Sequence, residues 1–293
     1  MHRVLITGIN GYIGQYLYST RPDTFKVEGS VRKIDPVFIS YTDPQIKLHP
    51  LNFEQDIYSQ FQNIQTDIVI HTAAIANLSA CQKNPQQAER INVKATESIS
   101  KWCADTETRM IYLSTDIVFD GHNAPYSEDD ISKPINVYGL TKLQGEQAVQ
   151  ENVKDHAIIR IALAMGRGKY NRKNFIDWMI GKIKKNETIP LFTDEIRTAS
   201  AVNYLAQNIW TIALSNETGI FHQFGYSRLS RYDIGKLICK ELNSGMDLIR
   251  PVQAADLKDC PRPLDVSLMT NRTVGGQKLI LPGIDEVIKE ILE

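Results

Sequence analysis

The chain has 293 residues, 42% hydrophobic, 23% charged and 8% aromatic, an ordinary globular composition that excludes a collagen, a disordered chain or a disulfide-stapled mini-protein. Thirty-three Lys and Arg stand against thirty-four Asp and Glu, a net charge of -1, so there is no electrostatic footprint for nucleic acid or an anionic membrane. Cys81, Cys103, Cys239 and Cys260 are widely spaced with no CxxC pattern, which predicts reduced packing thiols and no metal site. The chain enters an apolar strand directly after Met1-His2-Arg3, and no apolar run nears the ~18 residues of a membrane span. The expectation is a cytoplasmic protein without a membrane partner.

In chain order, Val4-Leu5-Ile6 is a short strand, followed by a glycine-rich turn and a helical pattern. Further strands are predicted at Lys26–Val31, Gln45–Leu48, Asp67–His71, Met110–Ser114 and Ala157–Ile161, with helix-length segments between most of them. Strands alternating with helices predict an α/β protein with a doubly wound parallel sheet of the Rossmann type, covered on both faces. The second half is less regular, with a polar loop at Arg167–Lys173, a strand at Gly219–Phe224 and a stiff extended segment at Cys260-Pro261-Arg262-Pro263. The predicted division assigns residues 1–161, completed by 203–225, to a dinucleotide-binding domain. Residues 162–202 and 226–293 form a smaller C-terminal substrate-binding lobe.

Thr7-Gly8-Ile9-Asn10-Gly11-Tyr12-Ile13-Gly14 sets three glycines three apart between the first strand and the first helix. Such a turn brings backbone N–H groups and a helix N-terminus to a pyrophosphate. Gly8 makes the tight turn, Gly11 admits the phosphates and Gly14 lets helix and sheet pack. At the end of the second strand, Val31-Arg32-Lys33 offers cations where a ribose-binding acid usually stands, and Asp35 comes two residues late. Arg32 and Lys33 therefore predict NADP(H) as the preferred cofactor, with NAD(H) possible.

Tyr138 and Lys142, four apart at the start of a helix, share one face. A phenol with a pKa near 10 becomes a usable acid or base when a lysine cation stabilises its phenolate. Met110–Asp116 is an apolar strand ending in Ser114-Thr115-Asp116, and strand carboxyl ends face the ligand crevice of such a sheet. Thr115 or Ser114 is thus placed to hydrogen-bond a carbonyl that Tyr138 protonates.

With these pieces in place, the sequence resembles the extended short-chain dehydrogenase/reductase family over essentially its whole length. The matching segments are Thr7–Gly14, Thr72-Ala73-Ala74, Asn92-Val93, Ser114-Thr115-Asp116 and Tyr138–Lys142. Within it, Ser114–Gly121, Asn136-Val137-Tyr138-Gly139, Asn174-Phe175 and Arg262–Leu268 look most like the dTDP-4-dehydrorhamnose reductase branch. The resemblance implies a catalytic Thr115, Tyr138 and Lys142. It also implies cofactor contacts from Asn10, Tyr12, Ile13, Asn52, Ala73, Ala74, Ile75, Asn92 and Ser114, and a nucleotide-sugar pocket in the C-terminal lobe. Arg197 and Arg262, whose guanidinium forks suit phosphate oxygens, are the substrate candidates, with Asn174 a further one. The sequence departs from that branch at Ser79, Ala80 and Gln82 after the fourth strand and at Leu163 after Arg160.

Ile117 stands where the Glu of a nucleotide-sugar dehydratase would be, which argues against dehydration. The expected function is NAD(P)H-dependent reduction of a nucleotide-linked keto sugar. A nucleotide-sugar epimerase and a non-catalytic NADP-binding regulatory subunit are the alternatives, the latter because the regulatory β subunit of methionine adenosyltransferase resembles the same branch. His71 reads as a hydrogen-bonded core residue and Cys81 as unreactive. Apolar residues on several faces of the helices at Gln86–Asp105 and Tyr138–Asn152, among them Ile91, Val93, Ile99 and Trp102, together with the family's pattern imply a homodimer.

Overall fold

A computed structural model describes residues 2–170, 174–257 and 259–293. Six strands, β1 (His2–Thr7), β2 (Phe25–Val31), β3 (Leu48–Pro50), β4 (Ile68–His71), β5 (Arg109–Thr115) and β6 (His156–Ile161), form one sheet with an edge strand at Gly219–Gln223. Spatially the order is edge strand, β6, β5, β4, β1, β2, β3. Every pairing in it is parallel. The order reverses between β1 and β4, which opens a crevice at the carboxyl ends of those two strands.

The central strands are buried on both faces. On one face, α1 (Tyr12–Ser19), α2 (Pro36–Ser40) and α9 (Val202–Leu214) pack Leu17, Phe38, Ile209 and Trp210 onto Val4, Ile6 and Ile111. The Trp210 ring stacks on Phe25 at 5.5 Å and its Nε1 donates to the Leu17 carbonyl at 3.0 Å, so this large residue is buried without an orphaned donor. On the other face, α3 (Ile57–Phe61), α6 (Ala95–Asp105) and α7 (Val137–Asn152) pack Phe61, Ile99, Trp102 and Val149 onto Leu5, Val69 and Tyr112. Ile99 and Trp102 of the expected dimer face are therefore sheet-face core, and Ile91 and Val93 are only partly exposed.

Three further helices, α8 (Phe175–Lys184), α10 (Arg231–Glu241) and α11 (Ile284–Leu292), enclose a separate apolar core around Met179, Ile238 and Ile288 with the strand pair Ile189–Phe192 and Ile249–Val252. A small cluster of Phe119, Tyr126, Phe224, Val266 and Leu268 lies beside the end of β5. Of the Arg167–Lys173 loop, residues 171–173 lie outside the described residues.

Two elements differ from expectation. The strand expected at Gln45–Leu48 begins only at Leu48, because the register with β2 pairs Gly29 with Leu48 and Val31 with Pro50. Pro50 is tolerated because β3 is an edge strand, where a missing N–H leaves no ladder partner unpaired. The single helix expected at Gln86–Asp105 is α5 (Pro85–Glu89), then a π turn at Arg90–Lys94, then α6. The wider turn sets Asn92 inward, where its amide accepts from Ile75 N at 2.8 Å and donates to Ile75 O at 3.0 Å and Thr141 Oγ1 at 3.1 Å. Short π turns of this kind concentrate near functional sites.

His71 ends β4, fully buried, with Nδ1 at 2.7 Å from Thr7 Oγ1 and Nε2 at 3.0 Å from Thr96 Oγ1. Burial, with the nearby Lys142 charge, pushes its pKa down to about 3. An unfolded chain protonates this histidine near 6.5. Its contribution to stability is therefore complete above pH 6.5 and is lost as pH falls from there towards 3. Urea unfolding at about pH 7.5, 6 and 5 is expected to show stability falling with acid, and His71→Asn is expected to lessen that slope. An unchanged slope in the variant would refute the assignment.

Candidate active site

At the crevice, Gly8 adopts φ +68°, a left-handed conformation that glycine takes without strain. A Cβ on Gly14 would lie 2.4 Å from the Gly8 carbonyl oxygen, so only glycine lets α1 start this close to the turn. Gly11 is the N-cap of α1 and supplies no side-chain cap, which leaves the first N–H groups of this helix for an anion. The cleft holds about 250 Å³. Gly8, Asn10 and Gly11 line it from the turn, Ala73, Ala74 and Ile75 from the end of β4, and Arg32 and Asn52 from beyond β2 and β3. These backbone-lined walls and uncapped N–H groups fit a dinucleotide.

Other residues expected at the cofactor stand elsewhere. The Tyr12 hydroxyl donates to Gly166 O at 3.2 Å and Ile13 packs against the sheet-face core, so both side chains point away from the cleft. Lys33 is exposed. Asn92 acts through Ile75, whose backbone it fixes. The Ser114 hydroxyl is spent on the Glu146 carboxylate. Residues that the sequence reading missed complete the cleft: Ser30, Phe53, Glu54, Thr72 and Ile91. Ser30 Oγ accepts from Gly8 N at 3.2 Å. Glu54, held by Gln87 Nε2 at 2.7 Å, faces the Arg32 guanidinium at 4.0 Å.

Thr115 is the last residue of β5, and its hydroxyl donates to Asp116 Oδ1 at 3.1 Å while accepting from Ile117 N at 3.2 Å. Opposite it, Asn136 caps α7 by accepting from Gly139 N at 2.8 Å. The approach of α7 to this strand end is set by glycine: a Cβ on Gly139 would lie 2.3 Å from Ile117 O, and one on Gly145 2.2 Å from the Tyr112 hydroxyl. The result places the half-buried Tyr138 phenol beside the Thr115 hydroxyl and puts Lys142, buried, with Nζ 4.0 Å over the Tyr112 ring.

The electrostatics differ from the simple expectation of a lysine-lowered phenol. Burial pushes the Tyr138 pKa up, Thr115 counters by hydrogen bonding, Asp116 and Cys81 push further up and Arg197 pulls down. Lys142 is itself pulled down to about 7 by burial, against the favourable charge of Glu146. Cys81, donating to Ile75 O at 3.3 Å, is pushed up to about 11 by burial, as an unreactive thiol should be.

The three substrate candidates are all engaged with protein groups. Arg197, expected as a phosphate grip, is buried with Nη1 3.1 Å from Asp116 Oδ2, directly beneath the Thr115 and Tyr138 pair. Arg262 reaches Asp259 at 3.0 Å and Glu195 at 3.3 Å, and Arg231 shares Glu195 at 3.5 Å. Glu195 is buried, which requires these cations as partners. Asn174 is a helix cap: it accepts from Asp177 N at 3.2 Å and donates to Gly166 O at 2.7 Å. Asp259 also binds the Ser79 hydroxyl, and Asn136 Nδ2 donates to Pro261 O at 3.1 Å. The extended Cys260–Pro263 segment is thereby fastened over α4 (Leu78–Lys83) and the start of α7. Among the described residues no cluster of metal-ligating side chains occurs, and no helix is long and apolar enough to cross a membrane.

The model of the RmlD substrate binding domain family matches residues 1–293. A probable low-salt glycan biosynthesis reductase of Haloferax volcanii, Agl14, is 31% identical over 273 residues, covering 89% of each chain. Methionine adenosyltransferase 2 subunit beta of Bos taurus is 29% identical over 296 residues, 97% of this chain and 86% of the relative. A dTDP-4-dehydrorhamnose reductase of Bacillus anthracis, solved in complex with NADP, superposes with a TM-score of 0.85 at 25% identity, covering 99% of this chain and 98% of that one. The chain belongs to the RmlD substrate binding domain family and is an NAD(P)-dependent oxidoreductase.

The glycine turn yields a direct test. Gly14→Ala is expected to lower stability by about 1–3 kcal/mol through the forced separation of α1 from the turn, and to weaken NADPH binding. Thermal unfolding and quenching of protein fluorescence by NADPH measure both, and wild-type behaviour in either would contradict the close approach.

Proposed function

We propose that the protein reduces the keto group of a nucleotide-linked sugar, with NADPH preferred and NADH accepted. The observation that carries this reading is the Thr115 hydroxyl beside the Tyr138 phenol at the carboxyl end of β5, with Lys142 one helical turn further along α7 and the glycine-lined cleft at the neighbouring strand ends. The solved reductase that shares this fold at 25% identity carries NADP, which supports the cofactor preference.

A bound nicotinamide dinucleotide supplies the hydride. The chain's own residues do the rest. The glycine turn and the N-terminus of α1 hold the pyrophosphate, and Arg32 meets a 2′-phosphate. Thr115 fixes the substrate carbonyl by turning its hydroxyl from Asp116 to the carbonyl oxygen. Tyr138 donates its proton to that oxygen as negative charge develops there, and its raised pKa in the ligand-free site keeps it protonated for this task. Lys142 supplies a positive charge behind the phenol, and oriented donors of this kind stabilise a developing alkoxide. Residues 162–202 and 226–293 receive the nucleotide sugar, and Arg262 and Arg197 exchange part of their carboxylate partners for phosphate or sugar oxygens. Two copies associating through α6 and α7 would give the homodimer.

Loss of reduced-nicotinamide absorbance is the test, with NADPH and separately NADH, against dTDP-, UDP- and GDP-linked 4-keto-6-deoxy sugars. Oxidation with one member is the expected result. Tight NADPH binding with silence across the panel would overturn the reading in favour of a nucleotide-sugar epimerase, which shows no net oxidation, or of a subunit role such as the bovine relative's name describes. Tyr138→Phe is expected to abolish nearly all turnover while NADPH affinity stays close to wild type, and preserved turnover would refute the proton-donor role. Arg32→Ala is expected to raise the KM for NADPH roughly tenfold while leaving that for NADH nearly unchanged, since only the former has a phosphate to lose. Equal effects on both would remove Arg32 from cofactor choice.

A further inference from the structure

One turn beyond Lys142 on the same face of α7 lies Glu146, a carboxylate buried to 1% exposure. Both of its carboxylate oxygens are engaged. Arg160 of β6 grips it from two nitrogens, Nε at 3.0 Å and 3.2 Å from the two carboxylate oxygens and Nη2 at 2.7 Å, and Ser114 of β5 donates its hydroxyl to it. A buried ion pair this complete gives little net stability relative to an apolar replacement, because both charges must be desolvated. Its position needs another reason. Tyr138, Lys142 and Glu146 follow one another at four-residue spacing, so the carboxylate sits behind the ammonium as the ammonium sits behind the phenol.

We propose that Glu146 is a positioning residue of the active site, the fixed negative charge that keeps Lys142 an ammonium, and that Arg160 and Ser114 hold that charge in place. The groups facing Lys142 make this necessary. From β4 comes the neutral ring of His71 and from β5 the aromatic face of Tyr112; Tyr138 stands one turn before Lys142 on its own helix, and the Ser114 hydroxyl is bonded to Glu146. Arg160 on β6 is a cation. Glu146 is the carboxylate in this set, and it opposes the burial that draws Lys142 down to about 7. Without it, a buried amine loses its proton readily.

The consequence for turnover rests on the reductase reading, but the charge relation does not, and the test separates them. The full chain is labelled at lysine with ¹³C, the Lys142 resonance is assigned from its loss in Lys142→Arg, and the resonance is titrated in wild type and Glu146→Gln. Glu146→Gln is expected to weaken proton binding at Lys142 about tenfold, one pH unit, with Glu146→Asp restoring part of the shift. If Glu146→Gln leaves Arg160 unpaired and the chain unfolded, Glu146→Gln with Arg160→Met removes both charges, and a smaller shift in the same downward direction is expected because the Arg160 cation is lost as well. An unchanged Lys142 titration in a folded variant overturns the proposal whatever the enzyme's substrate. Where a sugar substrate is found, the alkaline limb of kcat/KM moves to lower pH in Glu146→Gln while the dissociation constant for NADPH measured at low pH stays put; a uniform loss with an unmoved limb would show a purely structural residue.

Discussion

The separation between α7 and β5 is the constraint on which the site depends. At both Gly139 and Gly145 the neighbouring atoms, Ile117 O and the Tyr112 hydroxyl, occupy space that any larger residue would need. Two contacts six residues apart fix both the height and the rotation of the helix. Three polar groups of this helix are then committed to the strands: Tyr138 to Thr115, Lys142 to the face of Tyr112, Glu146 to Ser114 and Arg160. Helix propensity would disfavour two glycines in such a segment. Their presence shows that close approach outweighs propensity here.

Adjacent residues of β5 divide the work between two polar systems. Ser114 turns to the Glu146 and Arg160 pair, and Thr115 turns to Asp116, which is paired with Arg197. Alternation along a strand sends neighbours to opposite sides, so one strand end supports charge on both faces of α7's footing. Low dielectric makes each unpaired charge costly there. For this reason the site carries its arginines and carboxylates in pairs, including Arg231 and Arg262 around the buried Glu195, while the buried Lys142 lies over the Tyr112 ring.

The sheet, the glycine turn and the shared helix face of Tyr138 and Lys142 were legible because each is local. Alternating apolar runs mark the strands, glycines mark the turn, and four-residue spacing marks a helix face. What was not legible depends on pairing across the chain. The start of β3 follows the register with β2 rather than its own composition. Asp116, the partner of Arg197, and Glu195, one of the two partners of Arg262, lie 81 and 67 residues away, and no spacing announces them. The capping role of Asn174 was legible and went unremarked, since an asparagine three residues before an Asp at a helix start is a capping signal. Glu146 had a local signal, the third member of a four-residue series, that gains meaning only when Arg160 is seen opposite it.

The π turn at Arg90–Lys94 bears on how this stretch tolerates change in length. Removing one residue from an α-helix rotates everything beyond it by about 100°. A π turn holds one residue more than an α turn, so deleting one residue at Arg90–Lys94 would let α5 and α6 run on as one α-helix with Ile99 and Trp102 still on the sheet, while Asn92 would be drawn from Ile75; a deletion within α6 would turn those core residues away. Substitutions along the exposed side of this segment are open to drift, whereas its extra residue is held by the cofactor cleft, whose wall at Ile75 needs Asn92 turned inward.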